Sequence, residues 1–519
     1  FRIINRKKGN NEFFILFFIV SFQAILDVLS LASIIPLLYI LKGNEVINDG
    51  QHNNFKTLGI NYEFFLDNNQ IDFLIPLGVI FLMIIATIFR IFLIKKTNNF
   101  IENTRHNISV KLMKNFLKNS PILNIDTTEI AKSILSEVDQ FMIIVFEPVI
   151  LMLTNIVLLL GISFYLIYTS LKASLVGLIT LALFYLLFYL FSKNILNLQG
   201  YRSERSNKGR FQTAIESFKN LKDIRIYNAE EYFIKRFSRF SRIFADTNAI
   251  YTSLTASPKY VIEMIVFIVL ALTILFFVIT NTISFSVIPL LGTFAFAAYK
   301  SQPSLSSVIF GINSIEYGSK IISNLYELIY KEFNHHSNQK LAFKYLNSQK
   351  DYCVLINNLT FNHVDGSNKK GIRNINLKIK YNSFFIIIGE SGSGKTTLLN
   401  LIAGLINGNK GSITYNTFKN NRRKPTIAYL HQKHSLIDAS VKQNVAFGLQ
   451  DDEIDEEKVI KSLKQAEIYD YVKTLKNKIN TNVGEDGSKL SAGQIQRIAL
   501  ARSLYINPDI IILDEPSSA

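Results

Sequence analysis

Six long apolar stretches limit this chain more than any other feature. They fall at about 13–41, 72–94, 141–168, 172–196, 258–281 and 283–300. Each is too long for an ordinary core helix and lies near the roughly 20 residues that carry a helix across a bilayer. The chain is 49% hydrophobic and only 18% charged over 519 residues, which points the same way. The first stretch exceeds the apolar core of a signal peptide and lacks a cleavage site, so it reads as a span. The third and fourth turn near Thr169-Ser170, and the last two form a hairpin around Asn281-Thr282.

Charge between the stretches sets an orientation. Segment 42–70 carries Lys42 and Lys56 against Glu45, Asp49, Glu63 and Asp67, whereas 193–255 carries twelve lysines and arginines. Lysine and arginine concentrate on the cytoplasmic side, so 193–255 and the basic 95–140 face in, and 42–70 faces out. Both termini are then cytoplasmic. The net charge of +16 is accounted for by topology and anionic-lipid contact, with no need for a nucleic acid.

The inward segments carry apolar residues at helical spacing, as at Ile215, Phe218, Leu221 and Ile224. The spans are therefore expected to continue as helices beyond the bilayer. Short transverse helices are expected near Pro121–Asp126 and Ile215–Tyr227. Composition changes near residue 330, which divides the chain into a six-helix membrane domain (1–330), a polar linker (331–350) and a second domain (351–519). Cys353 is the single cysteine, so no internal disulfide exists, and it reads as a reduced thiol in a strand. The first residue is not Met and the chain ends at Ala519 in mid-motif, so a fragment is expected.

The second domain reads as α/β, with strands at 353–361, 373–380 and 384–388. Asn382, between the last two, is expected to take a left-handed conformation, which asparagine tolerates. Then comes Gly389-Glu390-Ser391-Gly392-Ser393-Gly394-Lys395-Thr396-Thr397, a full match to G-x-x-x-x-G-K-[ST] between a strand and a helix. Glycines let successive backbone N–H groups turn towards phosphate oxygens, and the helix N-terminus adds its positive end. Lys395 would reach the β- and γ-phosphates, and the Thr396 hydroxyl would ligate Mg²⁺. Ile427–Gln432 reads as a strand ending in a polar group aimed at the nucleotide. Leu490-Ser491-Ala492-Gly493-Gln494 is a small-residue loop before a helix expected at Ile495–Tyr505. Ile510–Leu513 is an apolar strand ending in Asp514 and Glu515. One of those carboxylates can hold Mg²⁺ through water, and the other can orient an attacking water.

In this order and spacing the motifs resemble those of ATP-binding cassette (ABC) transporters, over essentially the whole chain. Residues 389–397 match Walker A, Gln432 the Q-loop, Leu490–Gln494 the signature, and 510–515 Walker B with Glu515 as catalytic carboxylate. Thr481–Gly487 resembles the segment that precedes the signature in exporters. Six spans before one cassette is the half-transporter arrangement of the type IV exporter fold. The resemblance implies ATP and Mg²⁺ as cofactors, with Thr396, Gln432 and Asp514 at the metal. It also implies a homodimer in which each ATP meets the other copy's Ser491 and Gly493, and an ATPase coupled to transport. His363 stands where the family stacks an aromatic on adenine. Ala492 replaces a signature glycine, a mild change only if its φ is negative. The switch histidine that the family carries beyond Walker B is not in the chain as given.

Charged residues inside spans are functional candidates. Asp27 lies in the first, and Arg90, Lys259 and Lys300 lie towards inner ends of the second, fifth and sixth. Glu263, one turn beyond Lys259, could pair with it. The three cations can form a basic collar for an anionic headgroup such as a diphosphate, or can simply snorkel to water. Ala24–Ser30, Ile88-Phe89-Arg90, Ser257-Pro258-Lys259 and Ala298–Pro303 resemble PglK-type flippases, which move lipid-linked oligosaccharides across bacterial inner membranes. That resemblance implies that Arg90, Lys259 and Lys300 line a cavity, with lysine in place of two family arginines. It also implies a short external helix within 42–70. Lysine keeps the charge and loses the bidentate fork. Export of a peptide, another lipid or a drug is the alternative. A nucleotide-gated channel or scaffold without turnover is the reading from another class.

Overall fold

The computed structural model describes residues 8–33, 71–119, 133–169, 171–279, 287–330, 342–346, 352–362, 371–406, 408–416, 425–432 and 434–515. They fall into two compact units, one holding the helices up to Tyr330 and the other the residues from Ala342 onward. The expected turns at Pro121–Asp126 and Asn281-Thr282, the external segment 42–70 and His363 lie outside the described residues.

The helical unit contains α1 (Lys8–Ala32), α2 (Ile71–Asn119), α3 (Glu147–Thr169), α4 (Leu171–Lys219), α5 (Leu221–Ile226), α6 (Glu230–Ile279), α7 (Val287–Tyr317) and α8 (Ser319–Tyr330). Two π-helical stretches, Ser133–Glu137 and Met142–Phe146, lead into α3. Glu12–Ala32, Pro76–Lys118 and Ile134–Thr169 are long and apolar enough to cross a membrane, judged on described residues. α6 has 50 residues, roughly 75 Å at 1.5 Å per residue, against a hydrocarbon core of about 30 Å. The helices thus continue past any bilayer, as their amphipathic extensions require. Pro258 sits inside α6 without ending it.

Packing between helices uses close backbone approach. A Cβ built on Gly200 of α4 would lie 1.9 Å from the carbonyl oxygen of Tyr317, so only glycine fits there. Tyr317 stacks on Tyr251 of α6 with ring centroids 4.1 Å apart, and its hydroxyl donates to Asn248 Oδ1 at 2.7 Å. Further along, Leu31 of α1 and Ala297 of α7 pack on Leu158, Ile162 and Tyr165 of α3. On α2 the outer faces of Leu77, Ile80, Phe81, Ile84 and Ile88 are exposed, the surface that a lipid-facing helix presents.

The transverse element expected at Ile215–Tyr227 is shorter. α4 runs on to Lys219, Asn220 leaves helical geometry at φ −107°, ψ 25°, and α5 spans only Leu221–Ile226. Ile224, at the spacing of the run, is buried in α5. A one-residue break leaves a 3.6-residue pattern almost in phase, so the pattern cannot reveal it.

In the second unit β1 (Ala342–Leu346), β2 (Tyr352–Asn362), β3 (Gly371–Lys380) and β4 (Lys410–Asn416) form one sheet in the order β1-β4-β2-β3. β1 pairs parallel to β4, while β2 pairs antiparallel to both β3 and β4. The stretch read as a linker, 331–350, therefore contains a strand. Its five residues are bounded by polar segments, and its partner lies far off in sequence, so local composition hides it. Cys353 lies in β2, where burial pushes its thiol pKa up.

β5 (Ile427–Leu430) and β6 (Ile510–Leu513) form a separate parallel pair. Phe384–Ile388, expected as a strand, has no ladder partner among the described residues, and Phe384, Ile386 and Ile388 are exposed. Its composition is that of a buried strand, but an apolar run does not specify which neighbour it pairs with. Asn382 has φ 49°, the left-handed conformation expected of it.

Two apolar clusters support this unit. Val354, Ile356, Leu359 and Ile413 of the larger sheet pack with Leu398, Leu401 and Ile402 of α9 (Lys395–Ile402) and with Ile512 of β6. Leu436, α10 (Val441–Val445), α11 (Glu456–Gln465) and α12 (Tyr469–Thr474) pack on Ile498, Ala501 and Tyr505 of α13 (Ala492–Tyr505).

Candidate nucleotide site and the charged cluster of the helical unit

The glycine loop leads straight into α9, whose N-cap is Gly394 at φ 95°, ψ 13°. A Cβ there would also stand 2.7 Å from Ile372 Cγ2. Backbone conformation and space each demand glycine, and the loop keeps the open cradle that a phosphate chain fills. The Lys395 ammonium lies folded over it, donating to the carbonyl oxygens of Gly389 and Glu390 at 2.8 Å each. Gly394→Ala is expected to weaken ATP binding at least tenfold. The left-handed penalty of about 1–2 kcal/mol and the clash both fall on the cradle. Isothermal titration with ATP measures the loss, and an unchanged Kd would show that the cradle tolerates a side chain.

The β5–β6 pairing assembles the rest. Leu430 is opposite Leu513, so the residues that follow each strand emerge at one edge. Asp514 is 8% exposed. Its Oδ1 lies 3.4 Å from Thr396 Oγ1, and its Oδ2 accepts from the Tyr429 hydroxyl at 3.4 Å. Gln432 Nε2 donates to Glu515 Oε2 at 2.5 Å. Glu515 has φ 52°, a left-handed conformation rare outside glycine, asparagine and aspartate. Thr396 and Gln432, far in the chain from each other and from Asp514-Glu515, thus meet these two carboxylates. Sequence reasoning missed Tyr429. Its place one residue before the end of β5, two before His431 and so on the same face, is the period-2 signal that could have found it.

Electrostatics follow from that crowding. Burial, and then the Asp514 carboxylate, push the Tyr429 hydroxyl far above its ordinary pKa. Burial holds His431 below its ordinary value, Asp514 opposes this, and His434 adds to the lowering. His431 meets Tyr429 edge-on at 4.1 Å. Hydroxyl, amide and carboxylate oxygens form the hard donor set that Mg²⁺ takes together with phosphate oxygens. Among the described residues no three His, Cys, Asp or Glu side chains cluster as a self-sufficient metal cage.

The signature segment folds as a helix start. Ser491 caps α13, its Oγ accepting from the Gln494 N–H at 3.3 Å while Gln494 Oε1 accepts from the Ser491 N–H at 2.9 Å. The helix begins at Ala492, three residues before the expected Ile495, because this reciprocal cap closes the first turn around the small residues. Ala492 lies in that turn and is not among the positive-φ residues, so its methyl is a mild change from glycine. Ser491 and Ala492 are exposed, and nothing lies within 4 Å of a Cβ built on Gly493.

In the helical unit, Asp27, Arg90 and Lys300 come together and Lys259 stands apart. Asp27 is 2% exposed. Its Oδ2 pairs with Arg90 Nη2 at 2.9 Å and its Oδ1 with Lys300 Nζ at 3.1 Å. Gln23, one turn back on α1, donates to Asp27 Oδ2 at 3.1 Å. Phe22 and Phe89 meet edge-to-face at 4.9 Å beside the cluster. Lys259 lies over the Tyr260 ring at 5.8 Å and has no carboxylate partner among the described residues. The expected Lys259–Glu263 pair does not form. Glu263 instead accepts from Gln302 of α7 at 2.5 Å, because a cross-helix amide outcompetes a flexible i,i+4 contact.

A glycine-loop nucleotide cassette joined to long apolar helices defines a membrane protein with a phosphate-binding motor domain. The chain belongs to the ABC transporter family. The model for the ABC transporter transmembrane region matches residues 16–303, and the model for the ABC transporter itself matches 372–518. It is similar to an ATP-dependent lipid A-core flippase of Francisella tularensis, 28% identical over 410 residues, covering 76% of this chain and 64% of that protein. It is also similar to a putative export ATP-binding/permease protein of Rickettsia bellii, 25% identical over 85% of this chain and 76% of the other. The chain thus spans about two thirds, 64%, of the length of the flippase. In fold it matches a bacterial Atm1-family ABC exporter with ATP bound, with a TM-score of 0.74. That match, at 18% identity, covers 99% of this chain and 87% of the other.

Proposed function

We propose that the chain is the half-transporter of an ATP-driven exporter that flips a lipid with an anionic headgroup, most specifically a lipid-linked oligosaccharide on a polyprenyl diphosphate. The observation that carries this reading is Arg90, a half-exposed guanidinium on an apolar spanning helix, paired to a buried carboxylate and with donors that no described residue takes. A cation at such a place is costly unless it has work with an anion. The similarity to a lipid A-core flippase supports a lipid cargo of some kind.

In this reading Lys395 gives up the carbonyls of Gly389 and Glu390 for phosphate oxygens. Thr396, Gln432 and Asp514 would hold Mg²⁺, and Glu515 would take the proton of the attacking water. Mg-ATP supplies the free energy of phosphoryl transfer. Two copies pair so that Ser491 and Gly493 of each close the other's site. In the same reading the protein lies in a bacterial inner membrane, and the lysine and arginine asymmetry supports an orientation with both termini and the cassette cytoplasmic. The test is ATP-dependent flipping of a fluorescent polyprenyl-diphosphate oligosaccharide by the full-length protein in liposomes. Flipping lost in Arg90→Gln is expected. Wild-type protein that hydrolyses ATP yet leaves this lipid in place would end the cargo assignment, and wild-type protein without hydrolysis would end the transporter reading.

A further inference from the structure

Each cation of the cluster can be followed by counting its donors. An ammonium has three. Those of Lys300 are taken by Asp27 Oδ1 at 3.1 Å, the Asp27 backbone oxygen at 2.8 Å and Ser30 Oγ. The Lys300 side chain is 13% exposed, so it is a saturated strut between α1 and α7. A guanidinium has five donors. Arg90 uses one nitrogen, Nη2, on Asp27 Oδ2, and its side chain is 48% exposed. Among the described residues one carboxylate faces two cations, which leaves one surplus positive charge at Arg90. Asp27 is not stranded if Arg90 leaves, because Lys300 and Gln23 both still hold its carboxylate. Gln23 is 2% exposed and its Oε1 has no partner among the described residues, so a buried acceptor stands beside the ion pair.

We infer that Asp27 is the resident counter-ion of Arg90 and competes with the phosphate of a lipid headgroup for its guanidinium, while Lys300 serves the fold and does not touch cargo. This rests on the anionic-lipid reading above for the class of ligand. Asp27 is thereby a positioning residue. It presents Arg90 at a set place on α2 and sets how tightly the headgroup is held. A bidentate phosphate can displace a single Nη2 contact, which is the advantage of a guanidinium over an ammonium here. A moderate grip also suits transport, because cargo held too tightly is not released.

The test measures binding of polyprenyl diphosphate, polyprenol and inorganic pyrophosphate to the full-length protein in phosphatidylcholine nanodiscs. Asp27→Asn keeps an oxygen for Lys300 and is expected to tighten polyprenyl diphosphate about tenfold. Arg90→Gln is expected to weaken it about tenfold, and the double variant to behave as Arg90→Gln alone. Binding that is unchanged or weaker in Asp27→Asn would overturn the competition and leave the cargo reading intact. Pyrophosphate bound as tightly as the lipid would overturn the headgroup assignment. If wild-type protein ignores polyprenyl diphosphate, the same variants are measured with diphosphorylated lipid A. The same tightening there would keep the inference and retire the oligosaccharide cargo, and its absence would overturn both. A readout on wild-type protein does not depend on any variant folding. Whichever of polyprenyl diphosphate and diphosphorylated lipid A binds should protect Arg90 from phenylglyoxal as read by mass spectrometry, polyprenol should not, and no protection by the bound lipid would overturn the proposal.

Discussion

Glu515→Gln in the full-length protein lowers the turnover of ATP by on the order of 10²–10⁴ and leaves the Kd for ATP within about threefold of wild type. The two halves of this expected result come from different parts of the site. In the proposed reading affinity belongs to the glycine cradle, Lys395 and the start of α9, where the Lys395 ammonium meets the carbonyl oxygens of Gly389 and Glu390. In the same reading turnover belongs to the edge where β5 and β6 end, because a carboxylate must stand where a water can attack the γ-phosphate. The amide is isosteric and can still meet Gln432, so geometry persists while the capacity to take a proton is lost. Glu515 already sits at φ 52°, a backbone conformation costing about 1–3 kcal/mol that surrounding structure must hold. Phosphate release under saturating ATP, beside a direct binding isotherm, is the measurement. Residual hydrolysis above a tenth of wild type would move the base to another residue. A large loss of affinity would mean the substitution disturbed the cradle itself.

Much of the helical unit was legible because its signals are long. A run of apolar residues followed by an amphipathic stretch of the same period specifies one continuous helix, and α2, α4 and α6 follow that instruction. The glycine loop was legible for the opposite reason. Gly394 is a local requirement, set by a backbone angle and one neighbouring methyl. What escaped was neither long nor local. β1 finds β4 across 70 residues of chain, and Phe384–Ile388 carries strand composition with no ladder. Asn220 breaks a helix without disturbing its period.

The charged residues of the spans divide in the same way. Their presence in apolar sequence marked Asp27, Arg90, Lys259 and Lys300 as candidates, and that much needs only composition. Which of them meet is a tertiary fact. Arg90 reaches Asp27 across 63 positions and Lys300 reaches it across 273. Sequence position alone made the three cations equivalent. The structure separates them into a saturated strut, a half-used guanidinium and a lysine without a carboxylate partner among the described residues. Glu263 illustrates the limit of local rules, since it follows Gln302 on another helix and ignores the lysine one turn away.

The same separation predicts a non-additive pair of stability effects. Asp27→Leu removes the one carboxylate that, among the described residues, faces Lys300 and Arg90, leaving two cations in an apolar bundle, and is expected to cost about 3–5 kcal/mol. Lys300→Met leaves Asp27 its contacts with Arg90 and Gln23, so its cost is smaller. The double variant Asp27→Leu/Lys300→Met is expected to recover most of the loss. It replaces a buried ion pair with side chains of similar volume that pack without desolvated charge. Arg90 is then unpaired but half exposed, and can reach the interface or an anionic lipid. Melting in detergent should therefore rank Asp27→Leu lowest, Lys300→Met next, and the double variant near wild type. The coupling lies in the sign of the double variant. Simple addition of the two losses would mean that Asp27 and Lys300 act independently. The strut between α1 and α7 would then have to be sought in the apolar contacts of Leu31 and Ala297 with α3.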